Sequence, residues 1–192
     1  STLDGITVLD LSIGAPAALA TMFLSDHGAR VIRIVHPDDT KMRAGGFIVW
    51  DRGKELLKLD LDKAAANRDK AELFRRLVQG ADVLVDDFQP SSDGQNLVDA
   101  AWLKSINPRL VSCSLTAFGK HGPLKDEPPI DDLVLARMGV LSGMPGFRPA
   151  PVHVVHPLPT VGSALARAHA GRYAHSTTPH GPSGCDACIP DV

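Results

Sequence analysis

The sequence predicts an α/β fold built on a largely parallel sheet. Two observations predict it. Short β-branched runs alternate with longer helical patterns through the first half of the chain, the rhythm of βαβ units, and residues that start or stop helices fall at the joints between them. The elements follow in order. Ile6 to Leu11 reads as a first strand, and Ala15 to His27 as a helix closed by Gly28, a usual residue just past a helix end. Val31 to Val35 makes a second strand that stops before Pro37. Leu56 to Leu61 reads as a third, with Asp62 placed to cap a helix from Lys63 to about Gln79, whose buried stripe is Leu73, Phe74, Leu77 and Val78. Asp82 to Val85 is the next strand. After a Pro/Ser/Gly loop, a short helix over Ala100 to Ile106 leads into a strand from Arg109 to Leu115. Gly119 to Pro129 is a loop, and Asp131 is expected to cap a helix running towards Leu141.

The last quarter reads differently. Pro149 to Pro159 alternates enough for one strand, and Val161 to Ala168 begins a helix. Beyond it, Gly, Pro, Ser, Thr and His replace periodic apolar residues, so residues 1–168 are expected to form the domain and residues 169–192 a disordered tail. A helix that dissolves in this way also suggests a truncated or out-of-frame C-terminus.

Composition narrows the function. Apolar residues make up 44% of 192, enough for one core. A formal charge of -2 draws neither nucleic acid nor an anionic membrane. Apolar stretches such as Ala15 to Leu24 fall short of the roughly 20 residues a membrane span needs. No secretory leader pattern opens the sequence, and three cysteines are too few for a disulfide framework, so the cytoplasm is expected.

Several motifs carry chemistry only on a generous reading. Gly14 follows the first strand, but no G-x-G-x-x-G or G-K-[ST] accompanies it, which argues against a nicotinamide or nucleoside-triphosphate site. Cys185 and Cys188 have metal-ligand spacing without a second pair, so no metal is expected. His153 and His156 fall on opposite faces of a strand-like segment and do not converge on an ion. The pairs Asp86-Asp87 and Asp131-Asp132 lie at a strand end and a helix start, where such sheets place ligand crevices. Each pair could supply a general base or nucleophile, but a helix cap or a solvated loop acid is the commoner role for such residues.

A series of motifs resolves the ambiguity. Leu3-Asp4-Gly5-Ile6-Thr7-Val8-Leu9-Asp10-Leu11 is similar to the opening strand of the class III CoA-transferases, the family of formyl-CoA, carnitine and bile-acid CoA-transferases and α-methylacyl-CoA racemases. Gly28-Ala29-Arg30-Val31-Ile32-Arg33-Ile34 resembles its G-A-x-V-I-K-I signature. Arg52 and Lys54 with Leu59-Asp60-Leu61, then Ala81-Asp82-Val83-Leu84-Val85 with Phe88 and Pro90, continue the match. Asn107-Pro108-Arg109-Leu110-Val111, Phe118-Gly119 and Gly122-Pro123 complete it in order over about residues 3 to 165.

The resemblance implies a Rossmann-like large domain, here its N-terminal, truncated part. It implies dimers of interlocked ring-shaped subunits, so a homodimer or a partner supplying the missing half is expected, with uncovered apolar surface otherwise. It implies CoA or acyl-CoA as substrate rather than cofactor, and transfer of CoA to a carboxylic acid through an aspartate nucleophile. That aspartate falls in a segment read here as Pro157-Leu158-Pro159-Thr160-Val161-Gly162, which puts Thr160 in its place. A threonine hydroxyl without a base stays protonated, so transfer is expected to be impaired. Racemases add a histidine in a G-H-D segment; Asp131 matches its aspartate, but Ile130 precedes it. The CoA-contact positions correspond to His36, Arg43, Lys54, Asp87 and Phe88, and carboxylates such as Asp87 beside a polyphosphate weaken such a site. Three readings stay open: an impaired CoA-transferase domain, a non-enzymatic interaction or regulatory domain, and an acyl-CoA enzyme that uses Asp131.

Overall fold

The computed structural model describes residues 2–38, 45–61, 67–88, 99–144, 153–177 and 185–187. Its centre is a parallel sheet of β1 (Thr7–Leu11), β2 (Arg30–Val35), β3 (Glu55–Lys58), β4 (Val83–Asp86), β5 (Val111–Leu115) and β6 (Cys185–Ala187). The order across the sheet is β3-β2-β1-β4-β5-β6, every pair parallel. That order is the doubly wound one, whose reversal between β1 and β4 opens a crevice beyond the carboxyl ends of the two strands.

Seven helices are described: α1 (Ala15–Asp26), α2 (Gly45–Trp50), α3 (Arg68–Gln79), α4 (Ala100–Ile106), α5 (Asp131–Arg137), α6 (Val140–Gly143) and α7 (Leu158–Thr177). Strand residues alternate between two cores, as a pleat requires. Val8, Val31, Val83, Val85, Val111 and Cys113 face Ala17 and Leu24 of α1 and Ala168 of α7. Leu9, Leu11, Ile32, Ile34 and Leu84 face Phe74 and Val78 of α3 and Leu103 of α4. Helices therefore cover both faces, and strands buried on two sides read as the continuous apolar runs seen in the sequence.

Local chemistry sets the ends. Gly28 closes the α1 turn at φ 96°, a left-handed conformation that costs a residue with a Cβ far more than glycine. Asn67 caps α3 by accepting the amides of Asp69 and Lys70. The expected cap, Asp62, lies outside the described residues, and the helix starts later than its apolar pattern suggested. Asp99 caps α4 through the amide of Trp102 at 3.0 Å. Asp131 is not the cap of α5 but its first helical residue, following Ile130 in extended conformation, and this frees its carboxylate for another helix.

Two expectations for the last quarter change. Within Pro149 to Pro159, residues 153–157 are not a strand, so His153 and His156 are not set on opposite faces of one. The apolar pattern fades at Ala168, yet α7 continues to Thr177 and β6 joins the sheet edge beside β5. A helix already anchored by packing can extend through residues of poor periodicity, because each added residue gains a backbone hydrogen bond without a new nucleation cost.

Candidate active site

The crevice between β1 and β4 is occupied by the chain's own carboxylate. β4 ends at Asp86, and the next residue, Asp87, turns back onto the start of α1, where Ile13 and Gly14 present consecutive backbone amides. Asp87 Oδ1 accepts from Ile13 at 2.6 Å and Oδ2 from Gly14 at 2.7 Å. Burial pushes the Asp87 carboxyl up to about 7; the two amides oppose the rise, and the charges of Asp10 and Asp86 add to it. Phe88, beside it, is nearly buried among the Leu9, Leu11 and Ile34 core.

Beneath α1 lies a second, wholly interior cluster. Asp10 projects from the middle of β1 and is fully buried. Its Oδ2 receives Lys54 Nζ at 2.8 Å and Thr21 Oγ1 at 2.6 Å, while Oδ1 receives the amide of Ser12. Lys54 spends its other protons on the Ala18 carbonyl and Thr21 Oγ1. Its side chain has no exposed surface, so its ammonium serves Asp10 inside the protein and not the crevice. Arg33, the cross-strand neighbour of Asp10, pairs with Asp51, whose Oδ1 also lies 3.8 Å from Lys54 Nζ. An aspartate in mid-strand among valines and leucines was the visible signal for this cluster, and an apolar pattern alone passes over it.

His36 sits at the carboxyl end of β2. Its Nδ1 accepts the amide of Asp38, which leaves Nε2 facing Asp60 Oδ1 at 3.5 Å. Arg43 lies outside the described residues.

The carboxyl ends of β4 and β5 carry a further polar group. Ser114 Oγ donates to the buried Asp86 at 2.6 Å, Lys120 Nζ donates to Ser114 Oγ, and Arg167 of α7 reaches the Ser114 carbonyl at 3.2 Å. Arg167 thereby pins α7 against the sheet. No motif flagged it, because a lone arginine in a helix carries no pattern.

Asp131 and Thr160, far apart in sequence, meet where α5 and α7 begin. Thr160 Oγ1 donates to Asp131 Oδ1 at 2.8 Å, and the Thr160 amide donates to Oδ2 at 3.3 Å. Both residues are half-buried. Asp131 thus caps the first turn of α7 from outside, satisfying an amide that has no partner within the helix. One residue along, Asp132 Oδ2 lies 2.7 Å from His153 Nδ1, a second tie between α5 and the chain entering α7. Among the described residues no group of three or more His, Cys, Asp or Glu is placed to hold a metal ion, and no helix is long and apolar enough to cross a membrane.

Comparison with known proteins shows the family. The profile of CoA-transferase family III matches residues 3–174. Acetyl-CoA:oxalate CoA-transferase of Acetobacter aceti is 34% identical over 161 residues, covering 78% of this chain and 40% of the relative. Human alpha-methylacyl-CoA racemase is 35% identical over 158 residues, covering 80% of this chain and 39% of its own. The crystal structure of Rv3272 from M. tuberculosis superimposes with a TM-score of 0.84 at 29% identity, over 97% of this chain and 52% of that one. The chain therefore spans about 40% of the length of the curated relatives it matches.

Proposed function

The chain belongs to CoA-transferase family III, and from that premise we infer that it binds CoA or an acyl-CoA at the carboxyl edge of its sheet but has lost CoA transfer between carboxylic acids. The observation that carries this reading is the bonding of Thr160. Its hydroxyl stands in hydrogen-bond contact with Asp131 at the position where the family resemblance calls for a nucleophilic aspartate. A carboxylate that attacks a thioester forms an anhydride, which the departing thiolate can reopen to give an enzyme thioester and so pass CoA onward. A hydroxyl forms an ester, a much weaker acyl donor. The transfer sequence stops there.

The ligand end of the reading rests on His36, Asp87 and Phe88, which line up along the carboxyl ends of β2 and β4, and on Arg43 as a further contact. Lys54 stays inside the fold and contributes by holding β1 and α1 in register. A second copy or a partner covering α7 also belongs to the reading. Leu158, Val161 and Leu165 recur at helical spacing along α7 and remain exposed, which supports such a cover.

Calorimetric titration with free CoA and acetyl-CoA tests the binding half, and micromolar affinity is the expected result. The catalytic half is tested with acetyl-CoA and oxalate, the pair in the name of the Acetobacter relative: no oxalyl-CoA should form. Transfer by the unaltered chain would sink the claim about Thr160. No binding at millimolar CoA would sink the ligand and favour a purely interacting domain.

A further inference from the structure

Thr160 was expected to be inert because a hydroxyl needs a base, and the structure places one in contact with it. Asp131 Oδ1 lies 2.8 Å from Thr160 Oγ1, within reach for direct proton transfer, and the Thr160 amide holds the other carboxylate oxygen so that Oδ1 stays aimed at the hydroxyl. A nucleophile, a base in hydrogen-bond contact, and a third group that orients the base are the parts of an activated hydroxyl. Ser163 Oγ donates to the Thr160 carbonyl at 3.0 Å and Arg167 holds the same helix to β5, so Thr160 sits on an anchored first turn of α7.

We propose that Thr160 and Asp131 form a nucleophile and base pair that hydrolyses acyl-CoA thioesters. The inference rests on the reading that acyl-CoA binds this chain. In the first step the Thr160 oxygen bonds to the acyl carbon as its proton passes to Asp131. The C–S bond breaks, and CoA leaves as thiolate and takes that proton. In the second step water attacks the acyl-threonine ester while Asp131 accepts the water proton. The carboxylic acid departs, and Thr160 Oγ1 regains its proton from Asp131. Acyl-CoA and water give a carboxylic acid and CoA, and no other reactant is needed. A carboxylic acid acceptor has no part, because an acyl-threonine ester cannot regenerate an enzyme-bound CoA.

The test starts from the folded chain and its affinity for free CoA. Acetyl-CoA and butyryl-CoA are then added, released thiol is followed against buffer, and an acid-quenched sample is weighed for an acyl group on the peptide that holds Thr160. Release well above the buffer rate is expected, with an acyl mass on that peptide. Thr160→Val and Asp131→Asn are each expected to lose about 100-fold or more, while Thr160→Ser retains activity. CoA binding with no release above buffer overturns the inference and leaves the parent reading standing, as does release by Thr160→Val at the unaltered rate. Absence of CoA binding overturns both.

Discussion

Asp87 Oδ2 accepts the Gly14 amide at 2.7 Å, and a Cβ added to Gly14 would stand 3.0 Å from that same oxygen. The glycine after β1 is thus required by the close approach of a carboxylate, not by a dinucleotide. Gly14→Ala is expected to push Asp87 off at least one amide and to cost about 1–3 kcal/mol, the usual penalty of overpacking a filled site. Urea unfolding of the two proteins at pH 7 checks it, and equal midpoints would mean that the β4 turn yields freely.

Asp87 also sets a pH dependence. Its folded carboxyl titrates near 7, against an ordinary value of 3.8. Between those values the folded state holds a proton that the unfolded state has released, so this group makes stability fall as pH rises from about 4 to about 7. Asp87→Asn should flatten that part of the profile. For the proposed CoA site the same titration bears on affinity: above pH 7 the charged carboxylate would oppose a polyphosphate at the crevice, and below it the opposition would fade. CoA affinity should therefore rise as pH falls from 8 to 6 in the unaltered chain and rise less in Asp87→Asn, as calorimetry at the two pH values would show.

The buried Lys54 and Asp10 pair predicts a stability effect larger than any surface charge. Lys54→Met removes the only cation bonded to Asp10 among the described contacts and leaves a carboxylate in the sheet centre. Breaking such a pair from one side costs about 3–5 kcal/mol, while removing both partners costs less. Lys54→Met should lower the urea midpoint sharply, and Lys54→Met with Asp10→Leu should recover part of the loss. Equal loss in single and double variants would mean that packing, not charge, is what Lys54 provides.

The legibility of the sequence divides along the same line as its physics. Strands and α1 could be read because burial on two faces leaves continuous β-branched runs, and α4 because its cap and length are local. Caps supplied from a distance could not: Asp131 looks like the start of its own helix, and only the fold reveals that it serves α7. The site divides similarly. Asp87 stood out at a strand end, and His36, Phe88 and Lys54 came from the family resemblance alone; only the fold shows that the Lys54 ammonium is enclosed by the side chains of Asp10 and Thr21 and the Ala18 carbonyl. Asn107 is intermediate. It was visible as a motif residue, but its work is structural, donating from Nδ2 to the Val78 and Ala81 carbonyls and accepting the Arg109 amide.

That role gives Asn107 its own prediction. Asn107→Ala removes the side-chain donor shared by the Val78 and Ala81 carbonyls, of which Val78 keeps the Ala81 amide, a loss on the order of 1–3 kcal/mol. CoA affinity, measured where the variant remains folded, should be unchanged, since Asn107 lies at the opposite, amino-terminal side of β5. A selective loss of affinity with intact stability would assign it to the ligand site instead.

Replacing Thr160 by aspartate supplies the residue type that the family resemblance calls for at this position but sets it against Asp131. Two carboxylates in the place of a 2.8 Å hydroxyl contact cannot both ionise without strong repulsion, so one of them retains a proton to higher pH than it would alone. Relative to the unaltered chain, Thr160→Asp should lose stability as pH rises from about 4, where the unfolded carboxyls ionise, through that raised value. Melting temperatures compared at pH 5 and pH 8 should separate by more in the variant than in the unaltered chain. Thr160→Asp with Asp131→Asn should remove the difference, because an amide can donate to the new carboxylate. If the single variant melts alike at both pH values, the new side chain has turned away from Asp131, and the first turn of α7 is looser than its hydrogen bonds imply.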